Sequence, residues 1–372
     1  MAADMRTLEP PADPAVGQQP QGPVDAIVVV SFGGPEGPDD VLPFLENVTG
    51  GRGVPPERLA EVARHYQRFG GVSPINAQNR ALIAALDAEL RAHGIELPIY
   101  FGNRNWRPFL TDTVREMRDA GVRRALALVT SAYSSYSGCR QYREDLYRAQ
   151  QEVGPDAPEL VKLRAFFNHP GFVAANAARV REALATLPAG EPTRLVFTAH
   201  SIPVAMARGC AYEAQLREAA RLVAEAVGVR EWAVVYQSRS GPPDVPWLGP
   251  DIGDHLAELA GDGVRNVVVS PVGFVSDHLE VLYDLDVEAA EHAVSLGLRL
   301  ARAGTAGTHP AFVAALRELV QERLDPAAPR RAVGRLGPVQ DTCAPDCCRP
   351  GNGRPSPWEE RVSPGEPARP PA

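Results

Sequence analysis

Residues 267–293 read VVVSPVGFVSDHLEVLYDLDVEAAEHA, an apolar run of strand character leading straight into a segment patterned as a helix. Val267, Val268 and Val269 are β-branched and uninterrupted by polar residues, which suits a strand buried on both faces. Beyond them Leu279, Leu282, Tyr283 and Val287 supply an apolar stripe, while Glu280, Asp284 and Glu288 stand four apart. If the segment is helical, these acids form one column, although like charges at that spacing repel and weaken a helix.

The same strand-then-helix unit recurs in both directions along the chain. Short apolar runs occur at AIVVVS (26–31), PIYFG (98–102), ALALVTS (125–131), ELVKLRA (159–165), RLVFTA (194–199), WAVVYQS (232–238), NVVVSPV (266–272) and LRLARA (298–303). Between them lie amphipathic stretches such as NRALIAALDAELRAHG (79–94), with helical spacing and a terminal glycine. This alternation predicts an α/β protein with parallel sheets covered by helices on both faces. Eight runs divide into two doubly wound domains, each with a four-stranded sheet.

Composition narrows the function classes. The chain has 372 residues, 44% of them apolar, and a formal charge of −8. That is ordinary for a globular protein and gives no basic footprint for nucleic acid or anionic lipid. No run approaches the roughly 18–20 apolar residues of a membrane span, and the N-terminus lacks the layout of a signal peptide, so a cytoplasmic location is expected. Residues 1–24 and 350–372, rich in Pro, Gly and charge, read as disordered tails.

In open parallel sheets ligands sit beyond the carboxyl ends of the strands, so the residues after each run carry the functional information. SFGGPEG (31–37) follows the first run, but its glycines miss the dinucleotide-binding spacing and Pro35 removes an amide, which favours a tight turn. His200 ends the fifth run ahead of Ser201, Ile202 and Pro203; it reads either as a core histidine or as a ligand at the sheet edge. The segment holding Asp277, His278, Glu280, Asp284, Asp286 and Glu288 reads either as a solvated acidic face or as a conduit. Neighbouring carboxylates raise one another's pKa, so such a column can pass protons or weakly held divalent cations. Cys139, Cys343, Cys347 and Cys348 offer four thiols, which suit a [2Fe–2S] cluster, a Zn²⁺ ion or no metal at all; Cys210 is the fifth cysteine.

VVVSFGGPEGPDDVLPFLENV, FGGVSPINAQN, VFTAHSIP, YQSRSGPPDVPWLGPDI and VSPVGFVSDHLEVLYDLDVEA together resemble ferrochelatase, across residues 25–325 and in the family's order. The cysteine-bearing C-terminus and the Ala, Arg and Pro-rich composition most resemble the actinobacterial members. The resemblance implies the chelatase fold: two Rossmann-like domains, here 25–158 and 159–310, with a cleft between them. A C-terminal helix and Cys-rich segment, 311–349, would return to the first domain.

The resemblance further implies insertion of Fe²⁺ into coproporphyrin III, a step of haem biosynthesis, with the next haem-pathway enzyme as a partner. Protoporphyrin IX, another metal, or a non-catalytic porphyrin carrier are the alternatives. His200 and Glu280 would bind iron and remove pyrrole protons, facing each other across the cleft, with Asp284, Glu288 and His278 along the exit path. Ser73, Tyr66, Tyr142 and Arg52 would meet propionates or the ring edge; Ser73 could equally cap the following helix. Where many bacterial members carry a tyrosine that ligates product iron, this chain has Phe32, a ring without a lone pair. For the four cysteines the resemblance implies a [2Fe–2S] cluster.

Overall fold

In the computed structural model residues 22–50, 54–242, 244–341, 343, 344, 346–351, 353 and 357 are described. Arg52 and the tail readings for 1–21 and for most of 350–372 lie outside them. Every residue of the first apolar run is buried, and it forms the strand β1 (Ala26–Ser31). It lies inside a sheet with β2 (Ile99–Asn103), β3 (Arg124–Val129) and β4 (Glu159–Lys162), in the order β2-β1-β3-β4. The second sheet holds β5 (Thr193–His200), β6 (Trp232–Gln237), β7 (Asn266–Ser270) and β8 (Arg299–Arg302), in the order β6-β5-β7-β8. All pairings are parallel, with Val28 opposite Tyr100 and Ala127, and Val196 opposite Ala233 and Val269. Each sheet reverses its winding beside its first strand, so the two crevices lie between the ends of β1 and β3 and of β5 and β7.

The helices are α1 (Val41–Thr49), α2 (Pro56–Gln67), α3 (Ile75–Ala92), α4 (Leu110–Asp119), α5 (Gln141–Val153), α6 (Pro170–Leu184), α7 (Val204–Ala207), α8 (Tyr212–Val227), α9 (Ile252–Gly261), α10 (Leu279–Val281), α11 (Ala290–Ser295) and α12 (Pro310–Leu324). None among the described residues is long and apolar enough to cross a membrane. The expected helix at 79–94 starts four residues earlier, at Ile75. Pro74 occupies its N-cap position with no side-chain cap, so Ser73 does not cap it.

One expectation about organisation changes. A domain boundary at 158/159 would cut the first sheet, because Leu160 and Val161 of β4 pair with Ala125 and Leu126 of β3. The crossing to the second sheet comes later, through α6. Here the structure also exposes a repeat: HPGFVAA (169–175) opens α6 and HPAFVAA (309–315) opens α12, each after the fourth strand of its sheet. Each imidazole caps its helix, His169 accepting from the Gly171 N–H at 3.3 Å and His309 from the Ala311 N–H at 3.2 Å. The two helices pack on each other, and α12 returns to α3, where Arg317 meets Glu89 at 2.8 Å. Behind them Arg164 of the first half pairs with Glu322 of α12 at 2.7 Å, both nearly fully buried.

Candidate active site

The site is assembled at the carboxyl ends of the strands beside the two crevices. β5 delivers His200, the loop after β7 delivers Asp277 and His278, and the short α10 that follows delivers Glu280. His200 Nε2 lies 3.7 Å from Glu280 Oε2. The two come from neighbouring strands of one sheet, not from opposite walls of the cleft as the resemblance implied. His200 Nδ1 contacts the Ser201 carbonyl oxygen, an acceptor, so the proton of the neutral ring belongs on Nδ1 and Nε2 presents its lone pair to Glu280. Two acceptors at that distance leave a place for one proton or one cation. Tyr212 donates to the His200 carbonyl oxygen at 3.0 Å and fixes the strand end beneath the ring.

The acids after Glu280 do lie on a helical segment, but Leu282–Ala289 is wound as a π-helix between α10 and α11. Such a wide turn is uncommon and frequently marks a functional site. Asp284 points toward the end of β6, where Ser238 Oγ donates to it and Gln237 Nε2 approaches at 3.4 Å. Gln237 also donates to the Glu280 carbonyl oxygen at 3.0 Å. Ser238 is held at φ 60°, a strained conformation for serine that aims its hydroxyl at Asp284. Burial, which outweighs the Ser238 bond, and the charges of Glu280 and Glu288 push the Asp284 carboxyl up to about 7. Glu288 is raised in the same direction, chiefly by burial. His278 caps α10 by accepting from the Glu280 N–H at 3.2 Å, and burial lowers its pKa.

The opposite side is supplied by the first half. Phe32, 38% exposed, meets Phe44 with ring centroids 6.3 Å apart, and Phe44 meets Tyr66 at 5.9 Å. Tyr66 is buried and its pKa raised, by burial and by the charge of Glu280, so this aromatic row reaches the neighbourhood of Glu280. His65 stacks on Tyr283 at 3.7 Å and joins α2 to the acidic segment. Tyr142 is buried beneath the Arg104 guanidinium, which sits 4.6 Å from the Tyr142 ring, 5.7 Å from the Phe32 ring and 2.8 Å from Asp145. Ser73 is buried against the turn after β1, where a Cβ on Gly34 would lie 2.7 Å from its own. That turn is tight as expected, with Gly33 at φ 82°.

Sequence reasoning singled out His200 and the acids but missed Arg104, Gln237, Ser238 and Gln78. Three of them end or follow the second and sixth apolar runs, so their place beyond a strand was the available signal.

The cysteines gather away from this site. Cys139, in the π-turn Tyr136–Arg140 before α5, lines a small cavity with Cys343, Arg143, Lys162, Arg164 and Asp341. The Cys347 and Cys348 sulfurs are 3.4 Å apart, and the Cys343 thiol bonds to that of Cys347. Arg140 Nη1 donates to the Cys347 carbonyl oxygen at 2.7 Å. Among the described residues no set of three or more His, Cys, Asp or Glu is arranged to hold a metal ion. The nearby cations would nevertheless offset the negative charge of thiolates around a metal group.

Comparison with known proteins agrees with this architecture. Among solved structures, SirB from Bacillus subtilis with Fe³⁺ superposes with a TM-score of 0.52 over 81% of this chain and 96% of its own, at 14% identity. That likeness concerns the fold. The ferrochelatase of Rhodopirellula baltica is 56% identical, with 88% of this chain and 93% of that one covered. The coproporphyrin III ferrochelatase of Frankia alni is 58% identical, over 89% and 88% respectively. The family model described as ferrochelatase matches residues 24–324, and the chain belongs to the ferrochelatase family.

Proposed function

We propose that the protein inserts Fe²⁺ into coproporphyrin III, forming coproheme and releasing two protons, and that His200 and Glu280 carry the step. The observation that carries this reading is the 3.7 Å approach of His200 Nε2 to Glu280 Oε2, two acceptors facing one space. The 58% identity to the coproporphyrin III ferrochelatase of Frankia alni favours coproporphyrin III over protoporphyrin IX.

A free-base porphyrin exchanges two N–H protons for one divalent ion, with no net electron transfer. The His200 Nε2 lone pair takes the two pyrrole protons in turn as general base, and the Glu280 carboxylate receives each from it or steadies the incoming Fe²⁺. Asp284, poised at about 7, can accept a proton from Glu280 and give it up again near neutrality. Glu288 continues the path outward, with His278 holding the start of the segment. Phe32, Phe44 and Tyr66 give the macrocycle an apolar wall. Ser73, Arg52, Tyr66 and Tyr142 are the candidates for propionates or the ring edge; for buried Tyr142 the contact would run through Arg104. Phe32 cannot ligate iron, so product is retained by ring and propionate contacts until it passes to the next haem-pathway enzyme. Cys139, Cys343, Cys347 and Cys348 would hold a [2Fe–2S] cluster, a structural clip without a part in metal insertion.

Anaerobic assays with Fe²⁺ and each porphyrin test the reading. His200→Ala is expected to lower the insertion rate about a hundredfold or more while coproporphyrin III still binds. Normal turnover in that variant would remove His200 from the mechanism, and a preference for protoporphyrin IX would overturn the substrate assignment.

A further inference from the structure

We propose that Gln78 is a positioning residue for metal insertion: from the first turn of α3 in the first half, its amide fixes the loop that presents Glu280 to His200. The inference rests on the reading of those two residues as the iron-binding pair.

Glu280 belongs to the second half, yet its loop is gripped from the first. Gln78 Oε1 accepts the Asp277 N–H at 2.8 Å, and Gln78 Nε2 approaches Asp277 Oδ2 at 3.4 Å. One planar amide therefore meets a backbone donor and a side-chain acceptor of the same residue. Glutamate lacks the donor and lysine the acceptor. The adjacent Asn79, fully buried, accepts from Ser276 Oγ at 3.4 Å and donates to Ser31 Oγ at 2.7 Å, at the end of β1. On its far side Asp277 meets Arg302 at 3.2 Å, and Arg302 is held in turn by Asp286 at 2.6 Å. Asp277 is thus clamped between α3 and β8, and Glu280 follows three residues later.

The clamp has no evident purpose for folding α3, whose Leu82, Leu86 and Leu90 are at most 1% exposed and anchor it in the core. What it controls is the loop 276–280. Ser73 lies two residues before the same helix, so one rigid element would reference both a porphyrin contact and the iron-binding carboxylate. Side chains supporting a metal ligand commonly change metal affinity or activity about 10–100-fold when lost, and small displacements of reacting groups carry large rate penalties.

Three variants of the full chain test this: Gln78→Ala, Gln78→Glu, and Gln78→Glu combined with Asp277→Asn. The last exchanges donor and acceptor between the partners at constant net charge. Both single variants at position 78 are expected to raise KM for Fe²⁺ and lower kcat by about tenfold. Coproporphyrin III binding, read by fluorescence quenching, and the unfolding midpoint stay near native values, and the double variant regains most of the loss. Native kinetics in Gln78→Ala overturns the proposal. So does a parallel fall of porphyrin affinity and thermal stability without recovery in the double variant, which marks a merely structural residue. Glu280→Gln, assayed alongside, separates the two levels. If it is fully active, the iron-binding reading itself fails; if it is impaired while Gln78→Ala is native, only the role of Gln78 fails.

Discussion

The His200 imidazole and the Glu280 carboxylate lie 3.7 Å apart and are the pair proposed to share one proton or one Fe²⁺. The behaviour of Asp284, the acid four residues on, is set by its surroundings. Asp284 titrates near 7 in the folded protein against an ordinary value of 3.8, with burial as the main cause. The folded state therefore keeps a proton there that the unfolded chain has already released. Below the ordinary value both states are protonated and the site costs no stability. The cost grows as pH rises and is complete above about 7. Asp284→Asn removes this cost, so its urea midpoint should exceed the native one at pH 8 and match it near pH 4. Its insertion rate should fall about tenfold because an amide relays no proton. An equal stability gain at both pH values would show that the carboxylate is not the source. At this scale the sequence made the acids visible by spacing, but Ser238 and Gln237, which tune Asp284, carry no pattern. They matter through an unusual φ and through hydrogen bonds spanning more than forty residues.

At the scale of elements, strands were legible because each is a short apolar run between polar residues, and burial of β1, β5 and β7 follows from that. The π-helical winding of Leu282–Ala289 was not legible, since an acid every fourth residue suits an α-helix equally well. The pairing of α6 with α12 depends on another unmarked feature. A Cβ built on Gly171 would lie 2.2 Å from the Ala311 carbonyl oxygen, which is backbone and cannot rotate away. Gly171→Ala should therefore push the helices apart and destabilise the fold by about 1–3 kcal/mol in urea titration. An unchanged midpoint would mean the pair separates at no cost. In the repeated motif the second copy has Ala311 where the first has Gly171, so the close approach joins the two quasi-equivalent positions and only Gly171 must lack a Cβ there.

For the whole molecule, the halves are joined at the floor of the site by Tyr133 Oη donating to the Val272 carbonyl oxygen at 2.9 Å and by Gln215 bonding Ser134. The C-terminal segment adds a second tie, from Glu322 to Arg164 and from the cysteine region to Arg140. If the four thiols hold a [2Fe–2S] cluster, protein purified in air should contain about two irons and two acid-labile sulfides per chain. Cys139→Ser should lose both and unfold at a lower temperature; zinc without sulfide, or no metal, would overturn the assignment. The sequence by itself determined the α/β class and the two four-stranded sheets, and it singled out His200 and the acids as candidates, because periodicity and strand ends are local properties. The tertiary structure alone decided that β4 belongs to the first sheet, that His200 and Glu280 share one sheet edge, and that α3 holds the loop of Glu280. Those are contacts between residues far apart in the chain, and which partners meet is set by how the layers pack, a property that no single segment contains.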